Sequence, residues 1–310
     1  MSALAVELPE ALRPRFGQRT VMGSHRLQDH DLFTDAALVD LLDRFPREHL
    51  YAFSTGSDPT RVDENHPAHH EGVSGSELLK AVRNGRLWLN VTRVDRVDKT
   101  YRRLINDLYS ALRKQIPGFS PDATQGTLLI SSPGAQVYYH ADGPASALWH
   151  IRGRKRLWVY PELDPRYMRR ELLEDIFAGV RHEYLPYQSD YDDAAEVYDL
   201  QPGQWISWPQ NAPHRLINHD CVNVSLNTEY FTEASRRRFQ LYIANRFFRT
   251  RLGLRDLSLR EDGALALGKI FVQRAAHRLG LNPLQFRCHV PTLRVAADAT
   301  GGVVALDAKA

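Results

Sequence analysis

Between Gly126 and Phe231 the chain consists of short apolar-alternating runs separated by turn residues, and this strand density constrains the fold more than any other feature. Alternation and punctuation predict strands at 127–131, 136–140, 147–151, 156–160, 196–200, 204–208, 214–218 and 223–230. Eight short strands at this spacing predict a mainly β fold with flanking helices, built as a double-sheet jelly roll or barrel. A long acidic and aromatic insertion, 161–193, interrupts them.

The flanks read differently. Leu38, Leu41, Leu42 and Phe45 fall at helical spacing and predict a helix over 35–45 that stops before Pro46. Residues 49–54 and 87–94 read as strands, and 76–84 and 99–115 as helices. The polar stretch 55–75 reads as a loop carrying His66, His69 and His70. Beyond Thr232 two further helices are predicted, 235–252 and 263–279, with apolar stripes that need a packing surface. The last residues, 297–310, read as frayed. The organisation expected is an N-terminal helix-and-strand flank (1–125), a jelly-roll core (126–231) and a C-terminal helical segment (232–310), without a linker between them.

Composition narrows the function classes. A net charge of +3 on 310 residues does not point to nucleic acid, and Arg236-Arg237-Arg238 is expected to be a solvated helix face. No run approaches the ~18 apolar residues of a membrane span, and the N-terminus lacks the pattern of a secretory signal. Cys221 and Cys288 are too few for a disulfide framework or a zinc cluster, so a reducing cytoplasm is the expected compartment.

Within the strand-rich region lie His140 and Asp142, then, after a long gap, His214. Residues two apart on an extended strand share a face, so His140 and Asp142 can enter one barrel mouth. His214 opens a later strand just after Trp208-Pro209 and a short loop. Two neutral imidazoles and one carboxylate can hold one face of a ferrous ion and leave the opposite face open. The spacing alone is a weak signal in a chain with 13 histidines; the strand and loop context strengthens it.

At these residues the chain resembles the JmjC-type oxygenases of the cupin superfamily, and is most similar to the branch containing the asparaginyl hydroxylase that modifies hypoxia-inducible factor. The resemblance covers about a third of the chain, residues 126–231. Ile151-Arg152-Gly153-Arg154-Lys155 resembles the family's strand, glycine turn and lysine. Leu200 to Pro209, with its Pro202-Gly203, resembles the turn and strand leading to the distal histidine. The resemblance implies an Fe(II)- and 2-oxoglutarate-dependent dioxygenase in which O2 is consumed and a C–H bond is hydroxylated. It implies His140, Asp142 and His214 as metal ligands and catalytic residues, Lys155 as the cation for the far carboxylate of 2-oxoglutarate, and Asn227 near the cosubstrate. Val137 stands where the family has a hydroxyl, and Tyr138 is the substitute expected. Ser146 stands where that branch has an asparagine and is expected, with Tyr138, to contact the cosubstrate, and Gln204 replaces an acidic residue of the turn.

The residues leave two other readings open: a cupin-type binding module that does not turn over, and a cupin dioxygenase that uses no 2-oxoglutarate. Lys155 discriminates, since a dicarboxylate is favoured only if its side chain enters the barrel. The expected partner is a protein, peptide or small-molecule substrate, with no nucleic acid and no membrane. Tyr167, Tyr184, Tyr187 and Tyr191 of the insertion either grip that substrate or simply pack. The C-terminal helices either form a homodimer interface, as in the hydroxylase branch, or pack on the barrel.

Overall fold

The structure, a computed structural model, describes residues 4–281 and 290–306. Its strands are β1 (Val21–Ser24), β2 (Leu50–Ser54), β3 (His66–His69), β4 (Leu87–Thr92), β5 (Asp122–Ser131), β6 (Gln136–His140), β7 (Ala145–Arg152), β8 (Lys155–Val159), β9 (Glu196–Leu200), β10 (Gln204–Ser207), β11 (His214–Asn218), β12 (Asn223–Phe231), β13 (Leu293–Val295) and β14 (Val303–Ala305). The helices are α1 (Asp35–Arg44), α2 (Gly75–Asn84), α3 (Val94–Val97), α4 (Lys99–Gln115), α5 (Arg170–Phe177), α6 (Glu233–Leu252) and α7 (Ala264–Arg278).

Two sheets face each other. The larger runs β1-β10-β7-β12-β5-β4-β2-β3-β13-β14 and the smaller β6-β11-β8-β9. The eight strands expected from the sequence form the centre, four in each sheet, and make a double-stranded β-helix with flanking helices. Strands from both flanks widen the larger sheet on either side of this centre.

Alternation assigns the faces. On the outer face of the larger sheet, Leu128, Ile130, Trp149 and Leu226 join one core with Tyr101, Ile105 and Leu108 of α4. On the inner faces, Leu148 and Ile206 of the larger sheet meet Leu157, Val159 and Leu216 of the smaller. Burying a side chain of this size stabilises by about 1.5–3 kcal/mol, so two apolar layers fix which face of each strand turns inward.

Three local expectations change. The stretch 55–75 is not all loop: β3 pairs antiparallel with β2. The C-terminal stretch is not all frayed: β14 pairs with β13, which runs parallel to β3. These strands are defined by pairing between distant segments, which local patterning does not register. The arginine run is also not simply solvated, since Arg236, Arg237 and Arg238 pair with Asp122, Glu233 and Glu261. Cys288 and residues 307–310 lie outside the described residues. Among those described, no helix is long and apolar enough to cross a membrane.

Candidate active site

His140 ends β6 and His214 begins β11, and the two are direct cross-strand partners. Side chains of such a pair share a face, and the imidazole centroids lie 4.1 Å apart. The register of β6 shifts between this pair and the Leu216–Val137 pair. Such an irregularity bends the strand and re-aims its end. Asp142 lies two residues beyond β6, with Oδ1 3.7 Å from His140 Nε2 and Oδ2 3.6 Å from His214 Nε2. One ligand atom from each of the three lies within 4.8 Å of the others.

Both imidazoles are set in the tautomer that a metal needs. His140 Nδ1 donates to the Tyr138 carbonyl at 2.8 Å, and His214 Nδ1 donates to the Ala212 carbonyl at 3.1 Å. A carbonyl only accepts, so Nδ1 carries the proton in each ring and the Nε2 lone pair is free. Burial, followed by the neighbouring His140, lowers the His214 pKa to about 4, which keeps that ring neutral. Ser146 Oγ donates to Asp142 Oδ2 at 3.0 Å, and Asn211 Nδ2 donates to the Asp142 carbonyl at 2.7 Å. Ser146 therefore orients the carboxylate in this structure. Asn211 adopts φ 67, a conformation that asparagine tolerates better than most residues, and this turns its amide back toward the Asp142 loop.

Lys155 begins β8 on the inward face shared with Leu157 and Val159. It is 0% exposed, and its Nζ has no hydrogen-bond partner among the described residues. The Trp88 ring lies beneath it, 5.2 Å from Nζ to centroid. Burial lowers its pKa to about 7. Val159 pairs with His214 and Lys155 with Asn218 on the same two strands. Four residues separate those pairs, about 13 Å of strand at ~3.3 Å per residue. The lysine and the triad thus stand at opposite ends of the same strand pair. The two-residue turn before it needs Gly153, whose φ is 83 and where a Cβ would lie 2.4 Å from the Val222 carbonyl.

Asn227 lies on β12 between β7 and β5, so its polar face lines the interior and is not a solvated edge. Its Oδ1 is buried without a partner. The Tyr138 hydroxyl accepts from the Gly56 N–H at 3.0 Å, and its ring packs edge-on against Tyr184. Of the loop histidines, His70 bonds the Leu50 carbonyl at 2.7 Å and His69 lies 3.5 Å from Glu71.

Sequence reasoning gave Glu183 and Glu229 no role at the site, and named Tyr184 only as one of the four insertion tyrosines. Tyr184 forms a backbone bridge with His140. Glu229 is the cross-strand partner of Ser146. Burial, then the charges of Asp142 and Glu183, push the Glu229 carboxyl well above its usual range. Glu183 is exposed to solvent and faces the charges of Asp142 and His140. Glu229 continues the polar alternation of Asn223, Ser225 and Asn227, a signal the sequence did carry. Glu183 sits in an insertion without periodicity and had none.

The fold and the converging triad define the class: a JmjC/cupin-like double-stranded β-helix with a candidate 2-His-1-carboxylate site. No family model matches the chain, and no curated protein matches its sequence. Among solved structures, it is similar to the YcfD protein of Escherichia coli, with 14% identity, a TM-score of 0.50, and coverage of 88% of this chain and 68% of that one. A second structure of that protein, described as a ribosomal oxygenase in complex with cobalt and 2-oxoglutarate, matches with 14% identity, a TM-score of 0.49 and the same coverage. At this identity the likeness is one of fold.

Proposed function

We propose that this chain is an Fe(II)- and 2-oxoglutarate-dependent oxygenase that hydroxylates a C–H bond of a protein, peptide or amino-acid-like substrate. The observation that carries the reading is one interior with two complementary ends. Three metal-ligating atoms converge at the mouth, and a buried cation without any acceptor stands deeper in. A buried polar donor left unpaired costs about 1–3 kcal/mol, more when charged, and a ligand carboxylate would remove that cost. The donor set fits a ferrous ion: two neutral Nε2 atoms, one carboxylate and an open side.

His140, Asp142 and His214 would hold the metal, and Lys155 would meet the far carboxylate of 2-oxoglutarate. When bound, the metal and 2-oxoglutarate supply oxygen activation coupled to oxidative decarboxylation. The protein's own part is positional. The Tyr138 and Ala212 carbonyls fix the ring tautomers, Ser146 and Asn211 fix Asp142, and the apolar layer between the sheets excludes water. Asn227 offers an unpaired amide oxygen beside the cosubstrate path. Glu183, exposed beside Asp142, favours a substrate group with positive charge, while Glu229 offers a carboxyl that burial keeps protonated near neutral pH.

The position of Lys155 favours this reading over a dioxygenase that uses no 2-oxoglutarate. The placement in the asparaginyl hydroxylase branch rests on the sequence segments alone. With two cysteines in 310 residues, the reading places the enzyme in the cytoplasm. It includes a homodimer through α6 and α7, because Leu265, Leu267 and Phe271 stand exposed on α7. Anaerobic loading with Fe(II) and 2-oxoglutarate, followed by oxygen, tests the chemistry. Succinate should form, slowly even without substrate, and its absence under all conditions would reject the reading.

A further inference from the structure

We propose that the insertion 161–193 is a brace that holds both ligand histidines from behind, with Asp192 as the group that ties it to their strands. The proposal rests on the metal-binding reading above.

Each ligand histidine has a neighbour in the chain that points to the opposite face of its strand. Behind His140 this is Tyr139. Its ring packs edge-on against Tyr160 at 4.9 Å and lies 5.5 Å from Tyr187 and 5.9 Å from Tyr191. Its hydroxyl donates to the Tyr167 carbonyl at 2.9 Å. The Leu185 N–H bonds the Tyr139 carbonyl at 2.9 Å, so the insertion also grips the backbone of that strand. The insertion tyrosines that border this cluster are therefore packed and do not reach for a substrate.

Behind His214 the neighbour is Arg215, a buried guanidinium. It is ion-paired with Asp192, donates to the Tyr160 hydroxyl at 2.9 Å and lies 3.5 Å from the Trp158 ring centroid. Asp192 also accepts from Tyr160 at 2.5 Å and from Tyr187 at 2.8 Å. Burial opposes ionisation of Asp192, but the bonds from Arg215, Tyr160 and Tyr187 outweigh it and hold its pKa below the usual carboxylate range. Tyr160 touches both neighbours, so one cluster couples the backs of β6 and β11. Groups that orient a ligand contribute to metal affinity without touching the metal.

The test uses the full chain with Asp192→Asn, which keeps the shape and removes the charge. Tyr187→Phe serves as a second variant that leaves no ion unpaired and covers the case in which the first does not fold. Two readouts are taken. On the metal-free protein, amide exchange should quicken at 136–140 and 214–218 while 122–131 stays as in the wild type. In titrations with Co(II) alone, affinity should fall about tenfold for Asp192→Asn and less for Tyr187→Phe, with a changed visible spectrum of the bound ion. Unchanged exchange in those two strands, or wild-type Co(II) affinity and spectrum alongside a lowered melting temperature, would overturn the brace and leave an ordinary core cluster. A wild-type protein that binds no Co(II) would remove the metal reading instead, and the exchange data on metal-free protein would still decide whether the insertion holds the strands.

Discussion

Lys155 has a fully buried ammonium group and, among the described residues, no hydrogen-bond acceptor, so its charge depends on what enters the barrel. In the ligand-free protein burial holds its pKa near 7. A dicarboxylate beside it would raise that value again. Below about pH 7 the lysine is already charged, and 2-oxoglutarate affinity should not change with its titration. Above that pH, each unit should weaken binding up to about tenfold, with a proton taken up on binding, until the bound-state pKa is passed. Calorimetry in buffers of different ionisation enthalpy measures both effects; flat affinity from about pH 7 to 9 would separate Lys155 from the ligand charge. Ser146→Ala removes the hydroxyl that holds Asp142 Oδ2 and should raise the Co(II) dissociation constant about tenfold with little loss of stability. At this scale the convergence of His140, Asp142 and His214 was legible because His-X-Asp and a strand-opening histidine are local patterns. The role of Ser146 was not, because it depends on a side chain folding back four residues to Asp142.

At the scale of elements, the hairpin between β7 and β8 delivers the lysine. Gly153→Ala would place a methyl group against the Val222 carbonyl in a left-handed conformation. It should destabilise the protein by more than about 1 kcal/mol and weaken 2-oxoglutarate binding along with the fold. A thermal melt and a binding titration would show both losses together; a melt unchanged from wild type would argue against a constrained turn. The eight central strands were legible to within a few residues because short apolar runs are bounded by turn residues, although β9 is mostly exposed and β7 is buried on both faces. What escaped was set by partners far along the chain. Pro67 within β3 weakens the local strand signal, and β14 exists only through β13. The insertion showed aromatic and acidic residues but no periodicity, so α5 and the packing of Tyr167, Tyr187 and Tyr191 became visible only with Tyr139 and Tyr160 beside them.

For the whole molecule, α7 presents an apolar surface out of proportion to its neighbours, with Leu265 69% and Phe271 73% exposed. A second copy of the chain is the occupant proposed. Phe271→Glu combined with Leu265→Glu should convert a sedimenting dimer to monomer while leaving Co(II) binding intact. A wild-type monomer at all concentrations would reject that assembly. The two apolar stripes of the C-terminal helices were legible, but not which of them would be covered: α6 buries Leu241, Tyr242 and Ile243, whereas much of the α7 stripe stays open.

The pairing of His214 with His140 on one side and Val159 on the other has a consequence for how the protein can fail. A one-residue slip of β11 would turn His214 outward and carry Arg215, a fixed positive charge, into the pocket. It would also put Leu216 and Asn218 on the wrong face, so a form slipped by one residue loses one of the two histidines from the site. On the proposed metal-binding reading, uptake of the ion would therefore report on folding, since it requires the central strand in its correct register.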